Sequence, residues 1–275
     1  MIRAWLALSA ALLLTAGSAL AGCGESDNAC EIEGGSYHIV LPEGVEGPVP
    51  SVMFLHGAGS SGAGTLKNIG MKNALLARGY ALIAPDGSRR EGRGGAFWSF
   101  HPDWEERRDE SAFLRAVMAD AISKFGLDPD RTLLGGFSIG GSMASYVACK
   151  DPTSFSAFVP VAGSFWRPHP TECAGPVRLF HTHGWRDKTV PLEGRPLRSG
   201  AIKQGDVFQA FQVWRETNGC DGLRGDEFQT DEQFWRRSWT RCTEGTALEL
   251  ALFPGAHGVP RGWADMVITW YEGLP

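Results

Sequence analysis

The segment Gly136-Phe-Ser-Ile-Gly140 constrains this chain more than any other, because of what lies on either side of it. Residues 131–137 form an apolar, strand-like run, and residues 139–150 can continue directly as a helix of small side chains, so Ser138 falls at a strand-to-helix junction. A turn that sharp strains its central residue and crowds the positions two residues away, where only glycine leaves room. It also sets the serine hydroxyl at a helix N-terminus, which favours developing negative charge. Gly141, Ser142 and Ala144 permit close packing of that helix. A bare Gly-x-Ser-x-Gly arises by chance; with these flanks it predicts a nucleophilic serine.

The rest of the chain supplies a scaffold for such a turn. From Tyr37 onward, strand-like runs at 51–56, 81–85, 131–137, 157–161, 177–181 and 247–253 alternate with amphipathic stretches. That alternation predicts an α/β domain, a mostly parallel sheet with helices on both faces. A Gly/Ser-rich loop after residue 56 leads into a helix ending at Arg78, and the apolar spacing of 113–125 predicts a second helix closed by Gly126. Asp206 is placed to cap a helix over 207–217, and a final helix runs through Trp270. Residues 221–242 are polar and Trp-rich without a clear period, and read as an irregular excursion or a hairpin. With no internal repeat and no low-complexity linker, residues 22–275 make one domain of ordinary size.

A nucleophilic serine needs a base at the same edge of the sheet, and in strand-turn-helix sites of this kind the order along the chain is Ser, then Asp or Glu, then His. Of the seven histidines, His257 alone follows the plausible acids, in Phe253-Pro-Gly-Ala-His-Gly-Val just beyond a strand. Asp187, in the short loop after the 177–181 strand, is the expected acid. Its competitors are Asp206, a helix cap, and Asp221, Asp226 and Asp231 in the excursion. A tetrahedral intermediate also needs backbone N–H donors, and the expected pair is Ile139, after the serine, and Ala58 in Leu55-His-Gly-Ala-Gly-Ser60. His181-Thr-His183 places two imidazoles on one face of a strand, but no carboxylate or cysteine of matching spacing joins them. They read as support for the Asp187 loop, and no metal or other cofactor is expected.

Residues 1–21 carry one cation, Arg3, an apolar run from Ala4 to Ala16 and a small-residue end, the pattern of an export signal rather than of a membrane span. Six cysteines fit an oxidising compartment. Fifteen pairings are open, and the set that closes the shortest loops is Cys23–Cys30, Cys149–Cys173 and Cys220–Cys242. Leu20-Ala-Gly-Cys23 also fits a bacterial lipoprotein site, and lipid at Cys23 would be the chain's one route to a membrane. Parity of the cysteines favours the disulfide and a secreted or periplasmic protein. A formal charge of −5 makes nucleic acid and anionic lipid poor partners.

Leu55-His-Gly-Ala-Gly, Pro85-Asp-Gly, Phe97-Trp-Ser-Phe, Phe125-Gly-Leu-Asp-Pro-Asp-Arg, Gly136-Phe-Ser-Ile-Gly-Gly, His181-Thr-His-Gly, Asn218-Gly-Cys and Gly255-Ala-His-Gly stand in the order found in one group of α/β-hydrolases. Over residues 37–274 the chain resembles bacterial polyhydroxybutyrate depolymerases and feruloyl-esterase-like proteins. The resemblance implies an α/β-hydrolase fold, a triad of Ser138, Asp187 and His257, oxyanion donors at Ala58 and Ile139, and a Cys220–Cys242 disulfide. It further implies that Trp98 lines the acyl or alcohol pocket. Ile139 replaces a small or amide residue of the family, and Trp185 and Arg186 replace smaller ones, changes expected to narrow the pocket. The expected activity is hydrolysis of carboxylic esters, with short hydroxyalkanoate esters or oligomers first. Feruloyl or acetyl esters of plant polysaccharide come second, and a non-catalytic binding protein on the same fold is the rival from another class.

Overall fold

The computed structural model describes residues 23–24, 28–89, 95–104, 106–231 and 233–275. The expected export signal over 1–21 lies outside them. Apolar side chains that alternate along a strand must enter two different cores, and the central strands do so. Val52 and Phe54 of one strand face helices that carry Leu75 and Trp263, whereas Met53 and Leu55 face helices that carry Val117, Met143 and Trp214.

In chain order the main elements are β1 (Cys30–Ile32), β2 (Gly35–Val40), β3 (Val49–Leu55), α1 (Gly62–Leu66), α2 (Ile69–Ala77), β4 (Ala81–Pro85), α3 (Glu110–Phe125), β5 (Leu127–Phe137), α4 (Ile139–Lys150), β6 (Ala157–Val161), β7 (Arg178–Gly184), α5 (Val207–Thr217), β8 (Glu227–Thr230), β9 (Trp235–Trp239), β10 (Ala247–Phe253) and α6 (Trp263–Glu272). They build a sheet of ten described strands in the order β1-β2-β4-β3-β5-β6-β7-β10-β9-β8. The six from β4 to β10 run parallel, and antiparallel hairpins extend both edges. This is the α/β-hydrolase arrangement. Because the six strands share a direction, the loops after β3, β4, β5, β7 and β10 all emerge at one edge, where a ligand site of such a sheet belongs.

The expected strands and helices are present, with differences that have local causes. The helix expected to run to Arg78 is two helices, since the Asn68 side chain accepts from the Met71 N–H at 3.2 Å and starts α2 afresh. The 221–242 excursion is the hairpin β8–β9, which pairs with β10 and closes the sheet on that side. The hairpin β1–β2 at the opposite edge was not among the expected strands. All three short-loop disulfides are formed, and no described cysteine is free. Among the described residues no helix is long and apolar enough to cross a membrane.

Candidate active site

Ser138 has φ 60° and ψ −121°, a conformation that L-residues rarely adopt, and it ends β5 and begins α4 in a single step. Its N–H is held by the Val161 carbonyl at 3.0 Å. The flanking glycines are needed for the reason the sequence suggested. A Cβ on Gly136 would lie 2.4 Å from Gly140 backbone, and one on Gly140 would lie 2.3 Å from the Leu55 carbonyl oxygen. Across the loop after β6, a Cβ on Gly163 would lie 1.9 Å from the Ser138 carbonyl oxygen, so a third glycine closes the packing around the turn. That third position carried no signal in the sequence.

The loops after β7 and β10 bring Asp187 and His257 together. Their strands are neighbours in register, His183 opposite Leu252 and Gly184 opposite Phe253, so the chains leave the sheet side by side. His257 Nδ1 lies 2.6 Å from Asp187 Oδ2, and the carboxylate side chain is fully buried. Asp187 Oδ1 accepts from the N–H groups of Thr189 and Val190, both at 2.8 Å. One oxygen therefore shapes the loop while the other faces the imidazole. Since Asp187 can only accept there, His257 donates from Nδ1, and Nε2 is the bare nitrogen of its neutral form. The His257 ring rests on Phe137, with centroids 4.6 Å apart.

Three of the four competing acids are occupied elsewhere. Asp206 accepts from the Gln209 N–H and caps α5, as expected. Asp226 accepts from Thr240 and the Arg241 N–H, and Asp231 from the N–H groups of Gln233 and Phe234, both within the hairpin region.

The loop after β3 passes close to the serine: a Cβ built on Gly57 would lie 3.5 Å from Ser138 Cβ. His56 governs its shape. Gly87 N–H donates to His56 Nε2 at 3.0 Å, so the imidazole proton sits on Nδ1 and is donated to the Gly57 carbonyl at 2.7 Å. The C=O and N–H of one planar peptide point in opposite directions. Fixing the Gly57 carbonyl on the buried side thus turns the Ala58 N–H away from it, and no described residue accepts from that N–H. Ile139 is the first residue of α4, whose opening N–H groups lack partners within the helix. Burial pushes the His56 imidazole below its ordinary pKa and keeps it neutral.

Trp98 lies elsewhere than expected. It is buried, its indole N–H donates to the His56 carbonyl at 3.0 Å, and its ring stands 5.0 Å from the His56 ring. It braces the loop from behind and does not line the cavity beside Ser138. That cavity has a volume of about 410 Å³ and an apolar wall that includes Phe54, Met71, Phe137 and Val259; Ser138, His257 and Ala58 open onto it. Ile139 packs against the core and does not line the cavity, and Trp185 is 55% exposed, in a T-shaped contact with Trp235 of β9. Arg186 turns back to the Pro254 carbonyl. The expectation that Ile139, Trp185 and Arg186 constrict the pocket is therefore corrected. What the sequence missed is the pair His56 and Trp98 as supports of the loop; a tryptophan's type gives no sign of whether its ring faces substrate or core.

His181 and His183 are bonded to each other, Nε2 to Nδ1 at 3.0 Å, and His183 Nε2 lies 2.7 Å from the Val190 carbonyl oxygen. No cluster of three metal-ligand side chains occurs among the described residues.

Comparison with known proteins gives the family. A family described as phospholipase/carboxylesterase matches residues 38–204, more than half of the chain. NocK of Nocardia uniformis subsp. tsuyamanensis is 34% identical over 202 residues, which cover 68% of this chain and 56% of NocK. Feruloyl esterase B of Piromyces equi is 23% identical over 201 residues, covering 67% of this chain and 35% of that protein. The chain thus spans only about half and about a third of these relatives. The structure of an acetyl xylan esterase from Aspergillus awamori superposes with a TM-score of 0.66 at 15% identity, covering 93% of this chain and 99% of that one. The chain belongs to the phospholipase/carboxylesterase family, on the α/β-hydrolase fold.

Proposed function

We propose that this protein is an exported serine esterase that cleaves carboxylic esters through an acyl-enzyme. The observation that carries the reading is the strained Ser138 opening onto the same cavity as an imidazole whose Nδ1–H is held by a buried carboxylate. His257 Nε2 takes the Ser138 proton as Oγ adds to the ester carbonyl carbon, and the N–H groups of Ala58 and Ile139 receive the oxyanion. Collapse breaks the ester C–O bond, and His257 returns the proton to the departing alcohol. Water, deprotonated by His257, then adds to the acyl-enzyme and releases the acid and free Ser138. Export is supported by three disulfides together with the leader-like residues 1–21.

The acyl group belongs to the class carried by plant polysaccharides, feruloyl or acetyl, in preference to hydroxybutyrate. Support comes from the apolar cavity, which suits a compact or aromatic acyl chain, and from a relative named as a feruloyl esterase. The test is p-nitrophenyl acetate hydrolysis by wild type and Ser138→Ala, with mass-spectrometric mapping of a fluorophosphonate adduct. Hydrolysis and labelling at Ser138, both abolished in the variant, are expected; hydrolysis that survives Ser138→Ala would overturn the mechanism. A panel of methyl ferulate, acetylated xylan and hydroxybutyrate oligomers tests the acyl class, which fails if the hydroxybutyrate esters are turned over fastest.

A further inference from the structure

Behind Asp187 lies a pair of histidines that the mechanism does not use. His181 and His183, on alternate positions of β7, are both buried, their ring planes lie within 10° of parallel, and the His181 and Phe211 rings meet edge to face. Burial pushes both imidazoles below their ordinary pKa, His181 well below it, so both are neutral. The titratable groups that bear on His183 are Asp187, His257 and Glu193. An apolar side chain would fill the His181 position with a smaller desolvation penalty, so packing alone does not explain an imidazole there.

The partners of the two rings fix their protons. The Val190 carbonyl can only accept, so His183 holds its proton on Nε2 and its Nδ1 is a bare acceptor. His181 must then donate, which puts its own proton on Nε2. The hydrogen bonds run one way: His181 N–H to His183, His183 N–H to the Val190 carbonyl, Val190 N–H to Asp187 Oδ1, and His257 N–H to Asp187 Oδ2. The alternative tautomer of His183 would aim an Nε2 lone pair at the Val190 carbonyl 2.7 Å away and at Asp187 Oδ2 3.6 Å away. Either repulsion would push the Asp187 loop off its position.

We infer that His181 is a positioning residue for the esterase reaction: by donating to His183 Nδ1 it reinforces the His183 tautomer that the Val190 carbonyl selects, and so helps hold the Asp187 carboxylate against His257. The inference rests on the proposed triad for its catalytic consequence, but not for the tautomers themselves.

The test begins on the wild-type protein, labelled with ¹⁵N-histidine, at neutral pH. Two neutral imidazoles are expected, each protonated on Nε2; a His183 that is charged, or protonated on Nδ1, would overturn the inference. Three variants then read the consequence, His181→Leu, His181→Gln and His183→Leu. With the donor gone in His181→Leu, kcat for p-nitrophenyl acetate should fall about 10- to 100-fold, the range for small misplacements of a catalytic group, while KM stays within about threefold. The low-field proton of the His257–Asp187 hydrogen bond should move. His181→Gln, whose amide N–H can reach the same acceptor, should recover most of kcat and return that proton. A folded His181→Leu or His183→Leu protein with wild-type kcat and an unmoved proton would overturn the inference. If the variants fail to fold, the wild-type tautomers still decide. Absence of ester hydrolysis in wild type, with the tautomers as stated, would sink the proposed function and leave the tautomer assignment standing.

Discussion

Replacing Asp187 with asparagine separates the two tasks of that side chain, because the structure dictates which way the amide must face. Two backbone N–H groups, of Thr189 and Val190, point at the position of Oδ1 from 2.8 Å, and only an oxygen can receive them. The amide NH₂ is thereby turned toward His257 Nδ1, where the carboxylate accepted at 2.6 Å. Two donors cannot face each other, so His257 must move its proton to Nε2 and can no longer take one from Ser138. A wrong tautomer of this kind lowers kcat by about 10⁴-fold in a serine protease, or about 5.4 kcal/mol of transition-state stabilisation. KM should hold within a few-fold, since the Asp187 side chain is buried and does not line the cavity. Unfolding stability should shift by no more than about 1.5 kcal/mol, because the loop keeps both hydrogen bonds. Stopped-assay kinetics on p-nitrophenyl acetate, paired with urea unfolding, measure the two effects. Asp187→Ala should lose rate and stability together, as it orphans both N–H groups. An Asp187→Asn enzyme within tenfold of wild-type kcat, or a crippled Asp206→Asn, would refute the assignment of the acid.

Four further outcomes are expected. His181, His183 and His56 are held neutral in the fold, whereas in the unfolded chain they take up protons below about pH 6.5, so the unfolded state binds more protons and stability falls as pH falls below 6.5, at up to about 1.4 kcal/mol per pH unit for each; urea midpoints at pH 7.5 and 5.5 check this, and a flat or rising stability refutes it. Gly163→Ala should lose both fold stability and esterase activity, because its methyl would press on the Ser138 carbonyl, and a fully active variant would contradict the turn geometry. Replacing Cys220 and Cys242 by serine frees a span of 22 residues and should lower stability by about 3 kcal/mol in thermal or urea unfolding, with Cys23 from the native host expected at its disulfide mass, free of a diacylglyceryl adduct.

Much of this site was legible because its signals are local. The elbow at Ser138 shows in five residues, and the order of Asp187 and His257 follows from strands whose apolar runs are continuous, as buried parallel strands are. Asp206 and Gly126 likewise announce their caps within a turn of the helix they close. The edge hairpins were harder. All of β8 is exposed, so no apolar alternation marks it, and β9 follows it as Trp-Arg-Arg-Ser-Trp with its most exposed positions aromatic and charged. Trp98 was misplaced because an indole offers both an apolar ring and a donor, and whether its N–H meets substrate or the His56 carbonyl depends on a loop far away in sequence. The role of Gly163 was invisible for the same reason, since its need for space comes from a turn 25 residues earlier.

The proposed acid and base are 70 residues apart along the chain, yet their separation is set by two adjacent strands in register and not by anything between them. Helix α5 and the hairpin β8–β9, which extends the sheet beyond β10, form the detour that the chain takes between β7 and β10, with Cys220–Cys242 pinching its middle. Lengthening such a detour changes loop entropy only slowly, by about 0.6 kcal/mol per doubling. The exposed tip around Gly222 and Leu223 is therefore a natural port for grafted sequence: an inserted peptide or small domain there would ride on the enzyme without touching the spacing on which its chemistry depends.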